Sequence, residues 1–172
     1  TTAAASTIGS VGGNVSITAG KTYNDLLQCF LELGLDDARG DSLLLFSTMR
    51  NERVRLPFFL KYYRDLGVNH FLIVDNGSTD GSREYLADQP DVSLWTSTHS
   101  YKKSRFGADW LNWLQLRYGH QHWCLVVDPD EFFVYPFCDT RPIRALTDWL
   151  DASSIKSFPA MLLDMYPTGP LD

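Results

Sequence analysis

The sequence predicts an α/β domain, a mostly parallel sheet with helices on its faces. Three observations carry that prediction. Beyond residue 41, short apolar runs alternate with amphipathic stretches in the order strand–helix–strand–helix–strand–helix–strand. The first run is continuously apolar rather than alternating, as a strand covered on both faces is. The connections are short, which suits βαβ units.

Each element has its own signal. Residues 14–18 alternate apolar and polar between Gly12-Gly13 and Gly20, a short half-buried strand between turns. Residues 25–35 space Leu26, Leu27, Phe30, Leu31 and Leu33 as an amphipathic helix does, with Gly34 and Gly40 able to end it. Residues 42–47 form the first apolar strand. Residues 56–66 place Leu56, Phe59, Leu60, Tyr63 and Leu66 on one helical face, and Pro57 suits a first turn. Strands follow at 70–74, 92–96 and 122–127. Helices follow at 82–87, 106–118 and 143–150, and the apolar stretch 158–165 reads as a further strand.

Composition bounds the function. The chain has 172 residues, 44% of them hydrophobic and 21% charged, enough for one packed core without a covalent staple. A net charge of −6 argues against a nucleic-acid partner, which calls for a basic stripe. The longest apolar runs, such as Leu43-Leu44-Leu45-Phe46, fall far short of the roughly 20 residues a membrane span requires, so no transmembrane segment is expected. The first residues show no signal-peptide pattern and no initiator Met, as in a processed chain or part of a longer one. Cys29, Cys124 and Cys138 form no C-x-x-C pair, which points away from a disulfide framework or thiolate zinc site and toward a reducing compartment.

In an open α/β sheet, ligands bind beyond the carboxyl ends of the strands. Those ends carry Thr48-Met49-Arg50-Asn51-Glu52, then Asp75-Asn76-Gly77-Ser78-Thr79-Asp80-Gly81, then Asp128-Pro129-Asp130-Glu131. Asn-Gly and Asp-Gly favour turns on backbone grounds alone, and Asp80 reads as a helix cap. Asp75 suits either an Asx-turn or a contact to a ribose or base. Asp128 and Asp130, one residue apart at a strand end, suit Mn²⁺ or Mg²⁺ shared with substrate phosphates. Lys102, Lys103 and Arg105 form the one dense basic cluster, either a solvated loop or a diphosphate-neutralising group. Trp110, Trp113 and Trp123 could stack on a sugar ring or pack in the core. Gly20-Lys21-Thr22 lacks the earlier glycine of a P-loop, since position 15 is Val15, and neither G-x-G-x-x-G nor G-x-S-x-G occurs.

Taken in order, Arg50-Asn51-Glu52, Asp75 to Gly81 and Asp128-Pro129-Asp130-Glu131-Phe132 resemble the family 2-type inverting glycosyltransferases of the GT-A fold. The likeness runs from about Asp41 to the end of the chain. It implies a UDP- or GDP-linked sugar donor, a glycan or lipid-linked acceptor, and a divalent metal, Mn²⁺ or Mg²⁺. On that likeness Thr48, Asn51, Glu52, Asp75 and Asn76 flank the base and ribose, and Lys102 and Arg105 lie near the diphosphate. Asp128 and Asp130 hold the metal. It further implies a carboxylate base, for which Asp164 is the candidate, and a location in the cytoplasm, peripheral to the inner membrane where the acceptor is lipid-linked.

In such enzymes the base lies well downstream of the D-x-D, whereas 41 residues follow Glu131 here. The expectation is a donor-binding domain over 41–172 lacking part of its acceptor half, behind a leader over 1–40 with no assigned function. Residues 12–23 resemble a repeat of filamentous haemagglutinin-type adhesins. The alternatives to a transferase are therefore a GT-A domain that binds nucleotide-sugar without transferring it, or a piece of a secreted adhesin or toxin.

Overall fold

A computed structural model describes residues 7–8, 17–19, 42–165 and 169. The helix expected over 25–35 and most of the haemagglutinin-like segment lie outside them. The strands are β1 (Thr7–Ile8), β2 (Ile17–Ala19), β3 (Leu43–Met49), β4 (His70–Asp75), β5 (Val92–Thr96) and β6 (Trp123–Val126). The helices are α1 (Leu56–Leu66), α2 (Ser82–Ala87), α3 (Ala108–Tyr118) and α4 (Ile143–Ala152). One sheet contains all six strands in the order β1-β2-β5-β4-β3-β6. The four strands β5, β4, β3 and β6 are parallel, while β2 joins β5 antiparallel and β1 joins β2 antiparallel.

Strand alternation sends successive side chains to opposite faces, and the two cores follow it. Leu43, Leu45, Phe71, Ile73, Val92 and Leu94 pack with α1, with Leu86 of α2 and with Ile143 of α4. Leu44, Phe46, Leu72, Val74 and Trp95 pack with Trp110, Leu111, Leu114 and Tyr118 of α3. The result is a three-layer sandwich around strands buried on both faces, which is why those runs read as continuously apolar.

The chain runs from β3 to β4 to β5 in one direction, then crosses back to place β6 on the far side of β3. Right-handed crossovers in both directions require helices on opposite faces. The packing of α1 and α2 on one face and α3 on the other meets that requirement. The reversal makes the gap between β3 and β6 a topological switch point, where a crevice opens at the carboxyl ends.

Helix α1 begins with Pro in its first turn and stops at Gly67, where φ is 108°. The Gly67 N–H reaches Arg64 O and the Val68 N–H reaches Tyr63 O, a Schellman closure that only a left-handed residue completes. Arg64 then binds Asp91 through two hydrogen bonds of 2.7 and 2.6 Å, fixing α1 to the entry of β5.

Two expectations are corrected. The helix placed at 106–118 begins at Ala108, because Arg105, Phe106 and Gly107 all hold positive φ and cannot extend a right-handed helix. The stretch 158–165 is not a strand. It pairs with none of the described strands, and Met161, Leu162, Leu163 and Met165 are exposed; Pro159 also removes a ladder donor. No helix among the described residues is long and apolar enough to cross a membrane.

The inward face of α1 is testable by truncation. Leu60 is fully buried and Phe58 is 71% exposed. Leu60→Ala should lose about 2–5 kcal/mol of unfolding free energy in a urea titration. Phe58→Ala should change it by less than about 0.5 kcal/mol. Equal losses would mean the helix is rotated from the orientation described.

Candidate functional site

The residues after β3 and β4 bind one another before they bind anything else. Asn51 sits in the left-handed region (φ 59°), which Asn tolerates. There its N–H donates to Ser78 Oγ at 2.9 Å, and its Oδ1 accepts the Thr79 N–H at 2.8 Å. The Glu52 N–H donates to Ser82 Oγ, and the Arg53 N–H to Asp80 Oδ2, both at 2.9 Å. Asp80 also accepts from the Ser82 N–H and hydroxyl. Burial pushes the Asp80 carboxyl up, but the bonds from Ser82 and from the backbone outweigh it and hold the pKa below the usual range. The cap of α2 is Gly81, so Asp80 steadies the first turn from one position earlier. Arg53 lies over the Tyr85 ring at 4.2 Å, a cation–π contact that closes the zipper.

Asn76 ties three strand ends together. Its N–H donates to Met49 O at the end of β3, and its Nδ2 donates to Ser97 O and His99 O beyond β5, each at 2.9 Å. The neighbouring Asp75 is buried, and both its carboxylate oxygens accept the Ser78 N–H three residues on.

After β6 the chain turns sharply. The Glu131 N–H donates to Asp128 O at 3.0 Å, and the Glu131 carboxylate accepts the Asp128 N–H at 2.9 Å. Pro129 occupies the turn position that its fixed φ favours. Two tyrosines of α1 hold the exit. Tyr63 Oη donates to Glu131 O and accepts the Phe133 N–H, while Tyr62 Oη donates to Phe133 O. Burial pushes the Tyr63 phenol well above its ordinary pKa, so it stays protonated and can donate.

These exits enclose a cleft of about 300 Å³ lined by Thr48, Met49, Arg50, Glu52, Asn76, Tyr101, Asp128, Pro129 and Asp130. Desolvation at the strand end, then the negative charges of Glu131 and Asp130, raise the Asp128 pKa above the usual carboxylate range. Neither Asp128 nor Asp130 forms an ion pair with any described residue. Two crowded carboxylates are a donor type that could hold a divalent cation completed by water and phosphate, and the charge nearest them is Arg55, which acts on Asp130 but is bonded to Glu52. No cluster of three or more His, Cys, Asp or Glu among the described residues could cage a metal alone. Asp128 and Asp130 are the two carboxylates that line the cleft without an ion pair among the described residues.

Thr48, Glu52, Asn76, Asp128 and Asp130 are thus brought to one cleft. Asn51 and Asp75 lie beside it and serve the loops instead. The Glu52 carboxylate binds Arg55 at 2.6 Å. Lys102 is exposed in the loop after β5 and is not part of the lining; Arg105 bonds Asp109 at 2.7 Å at the start of α3. Asp164 is exposed on the irregular stretch after α4 and does not line the cleft either. The tryptophans are elsewhere: Trp110 is core, Trp113 packs against that core, and the Trp123 indole donates to Asp151. Burial raises the Cys124 thiol to about 11, as befits a small core residue.

Four lining residues, Met49, Arg50, Tyr101 and Pro129, lay outside the expected set. Arg50 is exposed, and its guanidinium has no ion-pair or hydrogen-bond partner among the described residues. It belongs to the R-N-E run, so the strand-end rule alone could have found it. Tyr101 had no such signal, because its position depends on the turn that follows it. No family model, curated protein or solved structure matches the chain.

Asn76→Ala removes two buried bonds and strands two carbonyls. It should cost about 2–4 kcal/mol in urea unfolding. Asn76→Asp should cost at least as much, since it sets a carboxylate against the same two oxygens. A loss under about 0.5 kcal/mol for the alanine variant would mean the three strand ends do not depend on this side chain.

Proposed function

We propose that this chain binds a nucleotide-diphospho-sugar at the switch-point cleft and serves a metal-dependent, inverting glycosyl transfer of the GT-A type. One observation carries the reading. Three strand-end motifs, separate in sequence, line a single cleft that holds a carboxylate pair, an unpaired guanidinium and an aromatic ring. Asp128 and Asp130 would hold Mn²⁺ or Mg²⁺, and the metal when bound supplies positive charge to the leaving diphosphate. Arg50 faces the same anion from β3. Thr48 and Asn76 form the wall against which a nucleoside lies, and the Glu131 turn holds both acidic side chains in place.

A second reading is favoured by the position of Asp164. Inverting transfer calls for a base on the acceptor hydroxyl, and Asp164 does not line the cleft. On this reading the chain binds nucleotide-sugar without transferring it. A glycan or lipid-linked acceptor belongs to the first reading alone.

Calorimetry with UDP and GDP, with and without Mn²⁺, tests both. Binding of at least one nucleotide, strengthened at least tenfold by the metal, is the expected result. Asp130→Ala should abolish the metal enhancement. Release of free or transferred sugar from a UDP- or GDP-sugar selects the transferase, and binding without release selects the second reading. Failure of both nucleotides to bind in either condition overturns both.

A further inference from the structure

The loop between β5 and α3 is basic, aromatic and rigid at once. From Val92 to Ala108 the chain has no acidic residue, while Lys102, Lys103 and Arg105 fall close together, in a chain whose net charge is −6. Lys102 and Lys103 are exposed and form no ion pair with any described residue. Arg105 is exposed as well and bonds Asp109. Phe106 stands among these cations with 64% of its surface open, and Tyr101 with 40%.

A slack loop would fold such a ring away, and this loop is not slack. The buried Ser104 donates its hydroxyl to Tyr101 O at 2.7 Å and accepts the Gly107 N–H at 3.1 Å. The Phe106 N–H also reaches Tyr101 O, at 2.9 Å. A Cβ at Gly107 would lie 2.8 Å from Thr48 Oγ1, so the base of the turn is pressed against the end of β3 and takes only glycine. Arg105 and Phe106 hold φ of 52° and 57°, a region that L side chains avoid. The backbone is thus over-determined in a conformation that keeps the Phe106 ring out among three cations.

Those side chains define the partner. It is anionic, because cations cluster toward it, and it holds an apolar layer beneath its charge, because a bare phenyl ring gains nothing from an aqueous anion. A bilayer with anionic lipid has both: headgroup charge for Lys and Arg, and the headgroup–acyl boundary for Phe. A nucleic acid fits less well. It calls for a basic stripe that follows several phosphates, and the cations here occupy one turn. Phe106 and Tyr101 also meet edge-on, at 82° between planes, and so form no stacked platform for successive bases. We infer that the Tyr101–Phe106 turn docks this protein on an anionic lipid surface. Phe106 enters the interface, and Lys102, Lys103 and Arg105 lie on the headgroups. Tyr101 lines the cleft too, so the docked surface adjoins the site. Docking of this kind needs no nucleotide and is independent of the proposed donor site.

Vesicle flotation of the full chain at low salt, without nucleotide or metal, tests it. Vesicles of equal parts phosphatidylglycerol and phosphatidylcholine should bind the protein at least about tenfold better than phosphatidylcholine alone. Raising NaCl to about 0.5 M should erase the difference. The paired Lys102→Glu and Lys103→Glu change should weaken binding to the anionic vesicles about twenty-five-fold or more. Phe106→Asn should weaken it about fivefold or more. Because Asn tolerates the left-handed backbone, the same variant should unfold in urea no earlier than the unaltered protein, which separates loss of docking from loss of fold. Phe106→Trp should keep the affinity within about threefold. Failure to bind the anionic vesicles overturns the docking surface, as does equal binding to both kinds. Full binding in the double lysine variant overturns the headgroup contact. Full binding in Phe106→Asn overturns the insertion, and tighter binding to a single-stranded oligonucleotide than to the anionic vesicles would make the turn a nucleic-acid contact instead.

Discussion

Asn76, through its backbone N–H and its carboxamide together, is the constraint on which the cleft depends. Parallel strands leave carbonyls at their carboxyl ends without a ladder partner, and such groups are costly to bury alone. Asn76 meets three of them, Met49 O through its N–H and Ser97 O and His99 O through its Nδ2. The side chain suits the position for two reasons: both of its amide hydrogens are donors, and it is short enough to stay in the plane of the strand ends. Aspartate has no such donors when ionised, and glutamine is a methylene longer. Once β3, β4 and β5 end in register, the loops leaving them start from fixed points, and every later contact in the site inherits that precision.

The second layer of order comes from α1, which does more than cover one face of the sheet. Its buried stripe of Leu56, Phe59, Leu60, Tyr63 and Leu66 packs against strands, as amphipathic spacing requires. The phenols of Tyr62 and Tyr63 reach beyond that stripe to Glu131 and Phe133, 68 to 71 positions later in the chain. A helix that follows β3 thus fixes the exit of β6. Because β6 lies on the far side of β3, that long-range link joins the two halves of the switch point. The acidic turn is held by the core rather than by its own loop.

How much of this is legible in the sequence follows from which forces act locally. The strands β3 to β6 and the helices α1 and α2 were readable because continuous apolar runs, helical spacing and Pro57 each have a local cause, whereas β1 was not read from the sequence. Thr48, Glu52, Asn76, Asp128 and Asp130, singled out by the strand-end rule, line one cleft. It could not separate ligand-facing groups from loop-building ones. Asn51, Asp75 and Asp80 have the chemistry of a binding site, yet Thr79, Ser78 and Ser82 occupy their oxygens. That division depends on partners more than 20 residues away for Asn51, within three for Asp75, and on both for Asp80, which accepts from Ser82 and from Arg53. The basic cluster lies off the cleft lining for a related reason. Its direction is set by the left-handed turn at 105–107, which turns Arg105 to Asp109, and no composition signal marks two non-glycine residues at positive φ. The apolar stretch 158–165 had strand composition and pairs with no strand among the described residues, and pairing is what makes a strand.

On the proposed reading, charge in the cleft links a metal to the ligand. Arg55 holds Glu52, so the charges facing the cleft without a partner are the Asp128 and Asp130 carboxylates and the Arg50 guanidinium. With both carboxylates ionised, those three groups sum to a net negative site, which repels a diphosphate at the low effective dielectric of a cleft. A divalent ion on the carboxylates reverses that sign and leaves Arg50 free to add to the attraction. In the proposed reading, metal dependence is then a matter of electrostatics before it is one of catalysis: the metal must be present for the anion to enter. The same balance explains why Lys102 and Arg105 need not reach the phosphates. The overall charge of −6 is compatible with an anionic ligand because what matters is the local sum at the strand ends, and one bound ion changes that sum more than any loop lysine could.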